Sequence, residues 1–122
     1  MNEIDETKEY IRRMKKEKNA VILAHVYQPG EVQDIADYTG DSLGLSKKAV
    51  STKAEVIVLC GVKFMAETAA ILNPDITVIL PDKNAGCGLA DMATVDRLNA
   101  KKKEYTDTAV FSYVNRSAAI KE

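Results

Sequence analysis

Four short apolar runs limit what this chain can fold into: Ala20-Val21-Ile22-Leu23-Ala24, Glu55 to Cys60, Ile76 to Leu80, and Thr108 to Ser112. Continuous apolar runs of this length, bounded by turn residues, read as strands buried on both faces. The segments between them carry helical spacing instead. Ile4, Ile11 and Met14 share one face of a helix over residues 4–18, which Asn19 closes. Val32, Ile35 and Ala36 mark a short helix ended by Gly40, and Asp41-Ser42 offers an N-cap for the next, with Leu43, Leu45, Ala49 and Val50 as its buried positions. Phe64, Met65, Thr68, Ile71 and Leu72 mark another, which Asn73-Pro74 stops. A further helix is expected near Thr94 to Lys103, and a last one begins at Ala118. Strands alternating with helices imply a parallel sheet covered on both faces. The expected fold class is therefore α/β: a three-layer αβα sandwich with a four-stranded parallel sheet, Rossmann-like. At 122 residues, 1–122 is expected to be a single domain. The chain stops inside an element, as though more protein should follow.

Several function classes are disfavoured. The net charge of −1 leaves no electrostatic footprint for nucleic acid or an anionic membrane. The acidic start, Met1 to Glu6, has no apolar signal region, and no apolar run approaches the ~20 residues that span a bilayer. Two cysteines, Cys60 and Cys87, make neither a disulfide framework nor a closed zinc site, so a reduced, cytoplasmic protein is expected. No Walker glycine pattern and no G-x-G-x-x-G is present.

The unusual polar residues fall just after the apolar runs. His25 and Tyr27 follow the first, Cys60 closes the second, Cys87 follows the third, and Tyr113 and Asn115 follow the fourth. Carboxyl ends of parallel strands share one rim, where ligands bind in open α/β sheets. His25, the single histidine, reads either as a structural hydrogen-bonding residue or as a group that binds a carboxylate or moves a proton. Tyr27, two residues on, falls on the same side if the strand continues, as a hydrogen-bond donor or as a rim aromatic. Ser42 reads as a helix cap or as a hydroxyl beside free amides that bind an anion. Cys60 reads as a small buried hydrophobe. Cys87, between Gly86 and Gly88 in Pro81-Asp82-Lys83-Asn84-Ala85-Gly86-Cys87-Gly88-Leu89-Ala90-Asp91-Met92, is an idle thiol, a nucleophile or a metal ligand. Glu67 reads as a solvated or salt-bridged helical residue, and Asp91 as a cap for the helix that follows it.

Four long motifs, AHVYQPGEVQDIADYTGDSLGLSKKA, LCGVKFMAETAAILNP, LPDKNAGCGLADM and YVNRSAAIKE, resemble the quinolinate synthase family across nearly the whole chain. The resemblance implies condensation of iminoaspartate with dihydroxyacetone phosphate to quinolinate in NAD biosynthesis, with aspartate oxidase as the upstream enzyme. It also implies a [4Fe-4S] cluster held by three cysteines, one from each of three similar α/β domains, acting as a Lewis acid. Carried over by position, Cys87 is the first domain's cluster ligand, and His25 and Tyr27 are the catalytic, substrate-binding pair. Ser42 contacts the substrate phosphate or carboxylate, and Tyr113 and Asn115 are the substrate-binding residues of the Y-V-N motif. Cys60 matches no ligand. Gly88 stands where the family more often has serine or proline, and Arg116 where a small hydroxyl residue is usual.

The chain resembles the first domain only. One cysteine of three implies inactivity in isolation, and a rim that faces missing domains implies self-association or completion in trans. The alternatives are a non-catalytic module binding phosphate or dicarboxylate, and one part of a split enzyme.

Overall fold

The run at residues 20–25 becomes the most buried strand of the sheet. In a computed structural model describing residues 2–87, 90–112 and 116–122, β1 (Ala20–His25) pairs with β2 (Tyr38–Gly40) on one side and β3 (Val56–Cys60) on the other, and β4 (Thr77–Ile79) pairs with β3. All three ladders are parallel, in the order β2-β1-β3-β4. Ala24 lies opposite Cys60, and His25 opposite Gly40.

Helices lie on both sides of this sheet. Helices α3 (Ser42–Ser51) and α4 (Lys63–Leu72) pack against each other and over one face. There Val21 and Leu23 of β1 and Ile57 and Leu59 of β3 meet Leu45, Ala49, Phe64, Met65 and Ala69 in one cluster. On the other face lie α1 (Glu3–Glu17) and α2 (Gly30–Ile35), both against β1. Asn2 caps α1 by accepting from the Asp5 amide at 2.9 Å. Asn19, just past the Lys18 cap, takes the left-handed conformation (φ 49°) that asparagine tolerates, and so turns the chain into β1. Helices α5 (Val95–Glu104) and α6 (Ala118–Lys121) complete the described elements, with a 3₁₀ turn at Ala90–Met92.

The sheet has its expected four strands, but not the expected fourth. The residues read as the end of a helix stopping at Gly40 leave the helix at Ile35, and Tyr38–Gly40 form β2. Asp37 explains the switch. Its amide donates to the Ile22 carbonyl at 2.8 Å, and its carboxylate accepts from the Ile22 amide at 2.8 Å and from Lys15 Nζ at 2.9 Å. That clamp draws the chain alongside β1 before the helical pattern can continue. Asp37→Ala is expected to cost about 1–3 kcal/mol, because the Ile22 amide loses its acceptor; chemical denaturation measures it.

Thr108–Ser112, expected as the fourth strand, joins no ladder among the described residues. Strand preference is mostly a preference for a half-buried pleated surface, and this segment finds none: Phe111 is 94% exposed. The segment is instead followed by α6, which is tied to α4. Glu67 accepts from the Ala118 amide at 2.8 Å, and Lys121 Nζ donates to Thr68 at 3.2 Å. Glu67 is thus half-buried and bound to the first amide of α6, a helix whose cap is Ser117.

Candidate functional site

The chain reverses direction across the sheet between β1 and β3, since β1 leads outward to β2 and β3 outward to β4. The carboxyl ends of such a strand pair diverge into a crevice. A cavity of about 170 Å³ lies there, lined by His25, Tyr27, Gln28, Ser42, Gly61, Val62, Met65 and Cys87. Three of these, His25, Tyr27 and Cys87, are expected at the strand ends, and Ser42 is expected at the start of a helix. The sequence did not single out Gln28, Gly61, Val62 or Met65 for the site. Their one sequence signal was position, just past the ends of β1 and β3.

His25 ends β1, and the chain then turns at once: the Gln28 amide donates to the His25 carbonyl at 3.0 Å. Tyr27 therefore reaches the site by a turn and not by strand alternation. Its amide donates to His25 Nδ1 at 3.1 Å, and its ring meets the imidazole edge-on with centroids 4.7 Å apart. At 89% exposed, Tyr27 does not serve as a packed rim aromatic.

The helix cap belongs to Asp41, whose carboxylate accepts from the Gly44 amide at 2.7 Å. Ser42 is the first residue inside α3, so of its two readings the helix cap falls away. That hydroxyl is the buried polar side chain of the core face, 6% exposed. It makes no hydrogen bond among the described residues and lines the cavity. A buried hydroxyl without a partner is costly, and a ligand in the cavity supplies one.

Cys87 is half-buried against the core, and its carbonyl accepts from the Asp91 amide at 2.8 Å. The loop before it is pinned by Lys63, whose amide donates to the Ala85 carbonyl at 2.9 Å, and by an Asx turn from Asp82 to the Asn84 amide at 2.9 Å. A Cβ at Gly86 would stand 2.9 Å from Asp91 Oδ2, so a larger residue there would displace the Asp91 side chain. Asp91 lies in the 3₁₀ turn before α5, and the cap of α5 is Thr94, which accepts from the Arg97 amide at 3.2 Å. Gly61 is equally constrained, since its Cβ would meet Met65 Sδ at 2.9 Å.

Cys60 points away from this cavity. Residues alternate along β3, so Ile57 and Leu59 enter the core while Val56, Val58 and Cys60 line an apolar groove of about 520 Å³ beneath α1 and α2. Burial pushes the Cys60 thiol above its usual pKa, which keeps it protonated and unreactive. Tyr113 and Asn115 lie outside the described residues, as does Gly88.

Among the described residues no three His, Cys, Asp or Glu side chains gather as a metal site. The cavity presents one thiol, one imidazole, a phenol and a hydroxyl. A cubane iron–sulfur cluster takes three or four thiolates, so this donor set does not hold one by itself. No helix among the described residues is long and apolar enough to cross a membrane.

Comparison with known proteins adds the following. The family described as "Quinolinate synthetase A protein" matches residues 9–122. A quinolinate synthase of Desulforudis audaxviator is 57% identical over 117 residues, covering 96% of this chain and 39% of its own length. One of Thermosynechococcus vestitus is 60% identical over 111 residues, covering 91% of the chain and 35% of the relative. One of Thermus thermophilus is 58% identical over 111 residues, with 91% and 36% covered. The chain thus spans less than two fifths of the length of these relatives.

Proposed function

The chain belongs to the quinolinate synthetase A protein family, and from that premise we propose that it is the first of three α/β units of a quinolinate synthase, contributing to the condensation of iminoaspartate with dihydroxyacetone phosphate in NAD biosynthesis. Its cavity is the part of the substrate site that this unit supplies. The observation that carries this reading is the buried Ser42 hydroxyl at the start of α3, without a hydrogen bond among the described residues and lining the same cavity as His25 and Tyr27.

Each residue has a task that its surroundings support. The Ser42 hydroxyl and the first amides of α3 donate to a phosphate or carboxylate oxygen, although Asp41 already occupies the Gly44 amide. His25 hydrogen-bonds a substrate oxygen or moves a proton, and the exposed Tyr27 phenol donates beside it. Tyr113 and Asn115, which lie outside the described residues, add polar contacts from the Y-V-N segment. Cys87 is one thiolate of a [4Fe-4S] cluster whose other ligands come from outside this chain.

The cavity lining holds no Lys or Arg. Binding by this unit alone is therefore expected to be weak, with a Kd for dihydroxyacetone phosphate in the millimolar range, or about 4 kcal/mol. In an NMR titration of the chain, dihydroxyacetone phosphate is expected to shift resonances of His25, Tyr27 and the first turn of α3. Ser42→Ala leaves the Asp41 cap intact and is expected to weaken binding about tenfold, near 1.4 kcal/mol. Shifts confined to other surfaces, or an unchanged affinity in Ser42→Ala, would overturn the reading. The same titration with succinate separates preference for a phosphate from preference for a dicarboxylate.

A further inference from the structure

The turn after β1 is held by a side chain from α2 that neither the rim argument nor the motif comparison assigned a role. Gln33 Nε2 donates to the Val26 carbonyl at 3.0 Å and to the Gln28 carbonyl at 2.8 Å. Both protons of one amide are thereby spent on the two residues that flank Tyr27. The Val26 amide is separately tied to the Gly40 carbonyl of β2 at 3.1 Å, and the Gln28 amide to the His25 carbonyl at 3.0 Å. Inside this frame the Tyr27 amide has one acceptor, His25 Nδ1, at 3.1 Å.

An imidazole nitrogen that accepts a hydrogen bond carries no proton. With Nδ1 accepting, neutral His25 holds its proton on Nε2, and Nε2 makes no hydrogen bond among the described residues. We propose that Gln33 is a positioning residue for His25: by clamping the Val26–Gln28 turn it keeps the Tyr27 amide on Nδ1, and so presents the ring to the cavity as an Nε2–H donor. This rests on reading His25 as a ligand-facing group, and it narrows that role. The ring meets substrate as a hydrogen-bond donor suited to a carbonyl or carboxylate oxygen.

The chain has a single histidine, so its ring nitrogens are read without ambiguity. The test is long-range ¹⁵N–¹H NMR of His25 in the 122-residue chain at alkaline pH, where imidazole is neutral. The wild-type ring is expected to show one tautomer, with Nε2 protonated and Nδ1 bare. Gln33→Glu keeps the length of the side chain but has no proton to donate. It is expected to make the two ring nitrogen shifts converge, as the tautomers average, and to speed Tyr27 amide exchange roughly five- to tenfold. Amides of β1 and β3 are expected to stay where they were. Gln33→Met, of similar volume and without either hydrogen bond, is expected to repeat the result without adding a charge.

A wild-type ring protonated on Nδ1, or an even mixture of tautomers, overturns the proposal whether or not the variants fold. So does a folded variant that keeps the wild-type ring pattern. The site reading fails separately. A ring that loses its single tautomer in Gln33→Glu, yet never responds to dihydroxyacetone phosphate in the wild type, upholds the clamp and removes the ligand.

Discussion

Anaerobic reconstitution of the 122-residue chain with ferrous iron and sulfide, without added small thiols, is expected to leave no stable absorbance near ~400 nm and no quinolinate from iminoaspartate and dihydroxyacetone phosphate. The reason is a count of ligands together with their placement. The chain has two cysteines, and they open onto different faces of the sheet: Cys87 onto the rim cavity and Cys60 onto the apolar groove under α1 and α2. Burial also keeps Cys60 protonated, whereas iron binds the thiolate. One thiolate with one imidazole nearby cannot complete the ligand set of a cubane. A cluster that stays bound through gel filtration, at one per monomeric chain, would overturn this and remove the need for ligands from elsewhere. A cluster recovered only at higher oligomeric states would mean that several copies pool their Cys87 thiols.

What was legible in the sequence depended on how far each signal reaches. Continuous apolar runs are strong signals, and β1, β3 and β4 stand where those runs predicted, although of the three only β1 is buried on both faces. Strand β2 was hidden because its neighbours carry helical spacing. A single carboxylate, Asp37, decides the matter through contacts to Ile22 and Lys15, which lie elsewhere in the sequence. The opposite error at Thr108–Ser112 has the same root. A β-rich string is an offer of pairing, and no described edge takes it.

The site divides in the same manner. That residues after β1, β3 and β4 converge follows from parallel topology, and His25, Tyr27 and Cys87 do line one cavity. Which of Asp41 and Ser42 caps α3 was not legible, since both are good caps and they are adjacent. The structure gives the cap to Asp41 and sets Ser42 in the lining of the cavity. The Gln33 clamp was illegible too, because a glutamine on a short helix carries no periodic signature. The particular reaction came from the long motifs alone; spacing supplied a place for chemistry and not its identity.

Two adjacent residues of β3 are expected to respond very differently to truncation, and the difference reports how completely the sheet is covered. Ile57 is fully buried in the cluster between the sheet, α3 and α4. Ile57→Ala removes its side chain from a packed interior that relaxes only in part, so it is expected to cost about 2–5 kcal/mol in chemical denaturation. Val58 points the other way, into the groove lined also by Ile22, Val56, Cys60 and Ile79. That groove is open over β3 and β4 because α1 and α2 both lie against β1. Atoms that already face a cavity leave little further void when deleted, so Val58→Ala is expected to cost under about 1 kcal/mol. Equal costs at the two positions would mean that something covers the groove in solution. Repeating the pair of measurements at tenfold dilution then identifies the cover. A Val58→Ala cost that falls on dilution belongs to an interface between copies of this chain, and one that does not fall belongs to the chain's own residues folding over β3 and β4.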